Sequence, residues 1–268
     1  MQFFVVFVVI GVAAVSAIES DEQQFLSAIS VDLTEDAKAN SNQLATDGYT
    51  TFPGQFPHHA RLFINANSVS SGSLITPNYI LTRAYFLDYS IKWTDKAEGY
   101  AILGVPNGAN EQRINFTESG MLIHPLFNHE LNDIAMIRLD HPATFNKYVQ
   151  PIRLPRLSDT RTYEKMEGTN VGISRYTSNQ ILSNNACNQL HPVRSIDAQH
   201  ICTNAYVGGD FCGRSHGSGL IIEDENGPVL VGVTCIIYIC SLNYPTAYAR
   251  VSNFRDWIAA NSDYVFDL

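Results

Sequence analysis

From residue 45 onward, the chain repeats short apolar or alternating runs that end at turn residues such as Pro53-Gly54 and Pro77-Asn78. Period-two patterns of this length predict β-strands, and many short strands at such spacing are typical of an all-β sandwich or barrel. The strands predicted in this way cover residues 59–64, 73–81, 100–105, 121–124, 134–139, 229–239 and 247–251.

The C-terminal region departs from this β pattern. Phe254, Trp257 and Ile258 recur at the i, i+3, i+4 spacing of one helix face, and Ser252 or Asn253 precedes them as a candidate N-cap. The sequence therefore predicts a terminal helix that packs through this apolar stripe.

The first residues predict secretion. Residues 3–15 are apolar, too few for the roughly 20 residues of a membrane-spanning helix, and Val15-Ser16-Ala17 supplies the small residues of a signal-peptidase site. A buried N-terminal strand or helix is the alternative. We expect a signal peptide over 1–17, an extracellular protein and no membrane association after cleavage. Secretion makes Asn115-Phe116-Thr117 a usable glycosylation sequon.

Residues 18–44 differ in composition from the rest of the chain. They carry six carboxylates against Lys38 alone, and they contain no cysteine, proline or glycine. We interpret them as an acidic pro-segment, which leaves 45–268 as the folded domain.

Composition excludes several functions. With 16% charged and 45% hydrophobic residues, the chain is too apolar to be disordered. A net charge of −9 without a Lys/Arg run excludes a nucleic-acid partner. The eight histidines are scattered except for His58-His59, so we expect no metal site and no cofactor.

Between residues 45 and 260 a collinear series of motifs is recognisable. It comprises Gly54-Gln55-Phe56-Pro57, Gly72-Ser73-Leu74-Ile75, Tyr79-Ile80-Leu81-Thr82, Asn132-Asp133-Ile134-Ala135-Met136, Asp210-Phe211-Cys212, Tyr248-Ala249-Arg250-Val251 and Trp257-Ile258. This series resembles the trypsin/chymotrypsin-like serine proteases, in their insect-type form. The resemblance implies two packed six-stranded antiparallel β-barrels and a C-terminal helix, and makes 45–268 a trypsin-like peptidase domain.

The resemblance also places the catalytic triad, and there the chain departs from the family. Tyr85 stands at the position of the histidine base, His216 at that of the serine nucleophile, and only Asp133 matches. A phenol, whose pKa is near 10, is a poor base at neutral pH. We expect Asp133 to be buried and to accept a hydrogen bond from the Tyr85 hydroxyl.

The positions for activation and for the oxyanion hole depart as well. Arg214 replaces a glycine whose backbone N–H helps to form the hole, and Ser215 replaces the aspartate that pairs with the activated N-terminus. That N-terminus would be Ala45, which follows Leu44 and not a basic residue. The resemblance therefore predicts neither activation cleavage nor the activation ion pair.

The specificity pocket gives a mixed indication. Asp210 matches the carboxylate with which trypsin-like members bind Lys or Arg, although it can also be read as a solvated or internally paired loop carboxylate. Ile237 and Thr246 replace small wall residues and would narrow the pocket.

Five cysteines leave one without a partner. The resemblance implies the disulfides Cys187–Cys202 and Cys212–Cys240. Cys235 remains, and we expect a buried, inert thiol. Ser70 and Phe86 replace the disulfide of the first barrel.

These departures favour a catalytically inactive homologue that binds an unidentified protein partner. The alternative is a weak or unconventional serine-type endopeptidase that uses His216, Ser215 or Cys235; a third reading is a product without function. One structural expectation concerns the stretch between Val171 and Cys187, which is shorter than in the family and predicts a truncated strand in the second barrel.

Overall fold

A computed structural model describes residues 48–65, 68–129, 131–191, 196–204, 216–236 and 244–268. The predicted signal peptide and pro-segment lie outside this part of the chain. The described strands are, in chain order, β1 Tyr49–Thr50, β2 His59–Ile64, β3 Ser68–Leu74, β4 Tyr79–Thr82, β5 Glu98–Leu103, β6 Gln112–Thr117, β7 Met121–Ile123, β8 Ala135–Arg138, β9 Glu167–Val171, β10 Arg175–Leu182, β11 His200–Thr203, β12 Gly219–Asp224, β13 Gly227–Ile236 and β14 Thr246–Arg250. The described helices are α1 Ala84–Trp93, α2 Asn184–Leu190 and α3 Arg255–Asn261.

The first barrel contains β2 to β8, paired antiparallel in the order β6-β5-β2-β3-β4-β8-β7. The two end strands of this order, β6 and β7, follow each other in sequence and are joined only by the 3₁₀ turn Glu118–Gly120. They form the two halves of one bent strand, so this six-strand barrel is nearly closed. Along β2, Ala60, Leu62 and Ile64 are fully buried and alternate with partly exposed residues, as a one-sided strand requires.

The second barrel is a closed ring in the order β10-β11-β14-β13-β12-β9, because β9 also pairs with β10. Strand β1 extends it by pairing with β10. The predicted fold, two six-stranded antiparallel barrels and a C-terminal helix, is therefore confirmed. The predicted strand 73–81 is in fact two strands, β3 and β4, which the turn at Pro77-Asn78 separates.

The expected truncation in the second barrel is wrong. Strand β10 is eight residues long and pairs with β9 through five residues. Only three residues, 172–174, connect the two strands, and Ser174 takes a left-handed conformation in the turn (φ 62°). The missing residues shorten a loop and leave the barrel closed.

The C-terminal helix has the predicted face and a different start. Phe254 and Ile258 are buried, and Trp257 packs on the same core. The helix begins after a 3₁₀ turn, Val251–Phe254, and has no side-chain cap; Asn253 instead bonds the Ala198 carbonyl. No described helix is long and apolar enough to cross a membrane.

The two barrels share a core. Leu81, Ile134 and Met136 from the first barrel pack with Leu230 and Val233 from the second. The predicted triad positions lie just before β8 (Asp133), in the helix after β4 (Tyr85) and in the turn before β12 (His216).

Candidate active site

Strand register in the first barrel brings Arg83 close to Asp133, one of the three triad positions. Strand β4 pairs with β8 so that Thr82 lies opposite Ala135. The residues just beyond this pair, Arg83 after β4 and Asp133 two positions before Ala135, become neighbours at the same end of the barrel. Tyr85 follows in the first turn of α1, and His216 lies in the turn before β12.

Asp133 is buried and accepts three hydrogen bonds. Its Oδ1 accepts from the backbone N–H of Tyr85 at 2.8 Å, while its Oδ2 accepts from Nε and Nη2 of Arg83 at 3.0 and 2.6 Å. The expected bond from the Tyr85 hydroxyl is absent among the contacts of the described residues. A neutral phenol cannot balance a buried carboxylate, whereas a guanidinium can, and the Tyr85 ring is turned outward with 39% of the residue exposed.

Arg83 also contacts His216. Its Nη1 lies 3.0 Å from the His216 Nδ1. The guanidinium thus lies between Asp133 and His216, the residue at the nucleophile position. Catalysis in this mechanism requires an imidazole in that place, between the aspartate and the nucleophile. Arginine stays protonated in proteins and can only donate hydrogen bonds, so it cannot replace the base.

His216 is neutral at physiological pH. Burial and, secondarily, the charge of Arg83 lower its pKa to about 4. Since Arg83 can only donate, the His216 Nδ1 accepts and the remaining proton lies on Nε2. A base this weak gives little driving force for proton abstraction near pH 7. His216 is therefore better described as a hydrogen-bonded turn residue than as a new catalytic base.

Ser70 and Phe86, which stand at the positions of the family's first-barrel disulfide, both contact His216. The Ser70 hydroxyl donates to the His216 carbonyl at 2.9 Å, and the Ser71 N–H donates to the same oxygen at 2.9 Å. The Phe86 ring packs edge-on to the His216 ring with centroids 5.6 Å apart, and the Arg83 guanidinium lies 5.6 Å from the same phenyl centroid. These hydrogen bonds and this ring packing hold the turn that carries His216.

Two other possible nucleophiles near the site are buried. Ser218 is fully buried, its hydroxyl donates to Asn170 at 2.5 Å, and it shares a second bond with Thr234. Cys235 is buried, forms no disulfide and directs its Sγ at the Ala247 carbonyl, 3.4 Å away. Burial, followed by the charge of Asp133, raises the pKa of this thiol far above its usual value. Neither group is an available nucleophile.

Some of the remaining predicted residues lie in the described part of the chain, and others lie outside it. A disulfide joins Cys187 of α2 to Cys202 of β11, Thr246 is buried at the start of β14, and Asn115 is exposed on β6. Predicted residues outside the described part are Ala45, Asp210, Arg214, Ser215, Ile237 and the pair Cys212–Cys240. Among the described residues, no group of three or more histidine, cysteine, aspartate or glutamate side chains could hold a metal ion.

Arg83 is the site residue that sequence reasoning missed. It stands two residues before Tyr85, the more conspicuous departure from the family, and its neighbours Leu81, Thr82 and Ala84 are all buried. A charged residue inside a buried run is seldom found without a partner. The signal in the sequence was the charge of Arg83 within the otherwise uncharged stretch 81–86.

Comparisons with known proteins agree with this architecture. A family model described as Trypsin matches residues 45–258. The chain is 28% identical to a collagenase of Hypoderma lineatum over 82% of this chain and 88% of that protein, and 28% identical to a brachyurin of Leptuca pugilator over 79% and 95%.

A protein of Anopheles gambiae named as an inactive CLIP domain-containing serine protease A8 is 26% identical over 72% of this chain and 58% of its own length. A solved structure of HL collagenase superimposes with a TM-score of 0.68 at 27% identity, covering 82% of this chain and 99% of that one. Together with the family match over most of the chain, these findings show that the chain belongs to the trypsin family.

Proposed function

We propose that this chain is a secreted trypsin-family protein that binds another protein and does not hydrolyse peptide bonds. The observation that carries the proposal is the position of Arg83, whose guanidinium occupies the side of Asp133 where a catalytic imidazole would bind. Loss of the nucleophile or of the base in this mechanism costs on the order of 10⁶ in turnover. Here both positions, Tyr85 and His216, carry other residues.

The second candidate, a weak or unconventional endopeptidase, has less support. The His216 imidazole, with a pKa lowered to about 4, is a weak base and adjoins a fixed positive charge. The Cys235 thiol is buried and protonated. Ser215 remains as a nucleophile for this candidate, but a serine hydroxyl without a base is barely nucleophilic at neutral pH.

Active-site labelling separates the two candidates. The secreted chain is incubated with a fluorophosphonate probe and, in parallel, with fluorogenic peptides, with an active trypsin-family enzyme as the positive control. We expect no labelling and no turnover. Stoichiometric labelling that disappears in Ser215→Ala would establish the endopeptidase and refute the proposal.

Restoring the triad tests the role of Arg83 itself. We compare the variant Tyr85→His/Ser215→Asp/His216→Ser, carrying Leu44→Arg so that trypsin can cut before Ala45, with the same variant after Arg83→Ala. As long as the guanidinium holds Asp133, the new histidine has no free carboxylate oxygen facing it. We therefore expect probe labelling only after the arginine is removed. Equal labelling of both variants would show that Arg83 does not block the site.

A surface beside the site supports a protein partner. Tyr85, Tyr89 and Trp93 follow each other at four-residue spacing on α1 and are 39%, 53% and 74% exposed. We call this the aromatic face of α1. The charges on the same helix pair with each other, Lys92 with Asp88 at 2.9 Å, which leaves the aromatic face uncharged. Tyrosine and tryptophan are the residues most enriched at binding hot spots, so the face suits apolar side chains of a partner protein.

Binding is tested by capture from the relevant body fluid with the mature chain as bait, followed by titration of the purified partner. We expect one saturable partner whose affinity falls at least tenfold in Tyr89→Ala/Trp93→Ala, because hot-spot truncations cost about 2 kcal/mol or more. Leu157→Ala, another exposed apolar residue (46%), is the matched control and should bind as wild type. Equal affinity in all three proteins would exclude the aromatic face.

A further inference from the structure

The sequon identified in the sequence lies on the outer face of the first barrel. Asn115 and Thr117 are two residues apart on β6, so both side chains project from the same face. Both are exposed, whereas the alternating residues Ile114 and Phe116 are buried. The Asn115 side chain makes no hydrogen bond to any described residue. Its amide nitrogen is therefore accessible and uncommitted.

An ordered stack of side chains adjoins Asn115. Asn115 lies directly opposite Tyr100 on β5, and Tyr100 lies opposite Phe63 on β2. The Phe63 and Tyr100 rings are stacked, with centroids 4.8 Å apart and an interplanar angle of 12°. The Arg113 guanidinium also lies over the Tyr100 ring, 3.5 Å from its centroid. The two rings and the guanidinium form a stacked platform across β2, β5 and β6.

Arg113 is the polar end of this platform. It is exposed, and within the described part of the chain its guanidinium makes no hydrogen bond and no ion pair. The guanidinium lies over the Tyr100 ring, and it carries five N–H donors. The platform thus offers N–H donors close to Asn115 that no acceptor in the described part of the chain occupies.

A surface cleft of about 680 Å³ contains these residues. Asn115, Tyr100 and Arg113 line it together with Lys96 and Asp140. This volume lies within the roughly 300–1,000 Å³ of small-molecule sites. It is large enough for the first sugars of a glycan that is anchored at its rim.

We propose that Asn115 is N-glycosylated and that the innermost N-acetylhexosamine units sit in this cleft, where an acetamide oxygen accepts from Arg113. The donor is a lipid-diphosphate-linked oligosaccharide. The Asn115 Nδ2 forms the new bond to the anomeric carbon and loses one proton, while the bond from that carbon to the phosphate oxygen breaks and the lipid diphosphate leaves with the electron pair. Glycosylation requires secretion, and it is independent of whether the chain hydrolyses peptides.

The test uses the full chain secreted from insect cells, with a standard leader if its own fails. Peptide mapping after enzymatic glycan removal reports occupancy, because the released asparagine becomes aspartate. Thr117→Val, which keeps the asparagine but destroys the sequon, is the negative control. We expect Asn115 to be modified in the wild type and unmodified in this variant. An unmodified Asn115 in the secreted wild type overturns the proposal.

Seating of the glycan in the cleft is tested separately. We expect glycan removal to lower the Tm of the wild type by about 2–4 °C, the shift equivalent to one lost hydrogen bond in a domain of this size. In Arg113→Met the shift should be markedly smaller, while Arg156→Met, an exposed arginine elsewhere, should behave as wild type. Equal shifts in all three proteins would show that the glycan does not contact the platform, and would overturn that part.

Discussion

Replacing Arg83 by methionine removes the guanidinium from the site while nearly preserving the volume of the side chain. In the wild type the Arg83 and Asp133 side chains are only 10% and 5% exposed and are joined by a 2.6 Å contact. In the variant, the buried Asp133 carboxylate keeps one hydrogen-bond donor in the described part of the chain, the Tyr85 backbone amide. Breaking a buried pair by removing one partner typically costs about 3–5 kcal/mol.

This loss is a large share of the roughly 5–15 kcal/mol that stabilises a typical domain. It corresponds to a Tm lowered by roughly 6–20 °C, at about 2–4 °C per kcal/mol for a domain of this size. Urea denaturation at pH 7, followed by circular dichroism, measures the free energy of unfolding directly. Lys92→Met is the matched control, since its i,i+4 pair with Asp88 is exposed on the lysine side and should contribute only about 0.3–0.5 kcal/mol.

The double variant Arg83→Met/Asp133→Asn distinguishes charge compensation from packing. Removing the second charge should restore a substantial part of the lost stability, giving a coupling free energy of about 0.5–3 kcal/mol. A loss below about 1 kcal/mol in Arg83→Met would refute the reasoning. Strict additivity in the double variant would refute it as well, because the two side chains would then not depend on each other.

Three further results are expected. In NMR titrations the His216 imidazole should stay neutral down to about pH 5, consistent with its pKa of about 4, and Arg83→Met should raise that pKa by removing a neighbouring positive charge. Burial lowers the pKa of His58 to about 3, so between pH 6.5 and 3 the unfolded chain binds a proton that the folded chain does not. The free energy of unfolding should therefore decrease as the pH is lowered from 6.5 to 3. This decrease should be less steep in His58→Gln than in His141→Gln, the control at an exposed site. The Cys235 thiol should resist iodoacetamide in the native protein and react in guanidinium chloride, since burial keeps it protonated and inaccessible; modification of the native thiol at the rate of a free cysteine would contradict this.

The sequence predicted what depends on local pattern. The alternation in β2 and the stripe of Phe254 and Ile258 both require one buried face, and both are present in the structure. Helix α1 was missed because its signals are weak. Arg83 occupies the N-cap position without a side-chain cap, and no acidic residue lies in the first turn.

The arrangement around Asp133 depended on contacts between distant segments. Arg83 reaches Asp133 because β4 and β8 pair in one register, and it reaches His216 across 133 positions of sequence. A motif comparison marks which residues are unusual but does not show where a long side chain goes once a catalytic histidine is missing. The same limit explains the β9–β10 connection, where the sequence indicated a deletion and only strand pairing shows that it fell in the loop.

The mutual dependence of Arg83, Asp133 and His216 has a consequence for how such a chain can change over generations. A histidine regained at position 85 would meet a carboxylate already bound, and an arginine lost first would leave that carboxylate buried without a counter-charge. Ser70 and Phe86 add to the barrier, because each now supports the His216 turn. Stepwise reversion would therefore pass through less stable intermediates, so the rearranged site opposes a return to the catalytic triad.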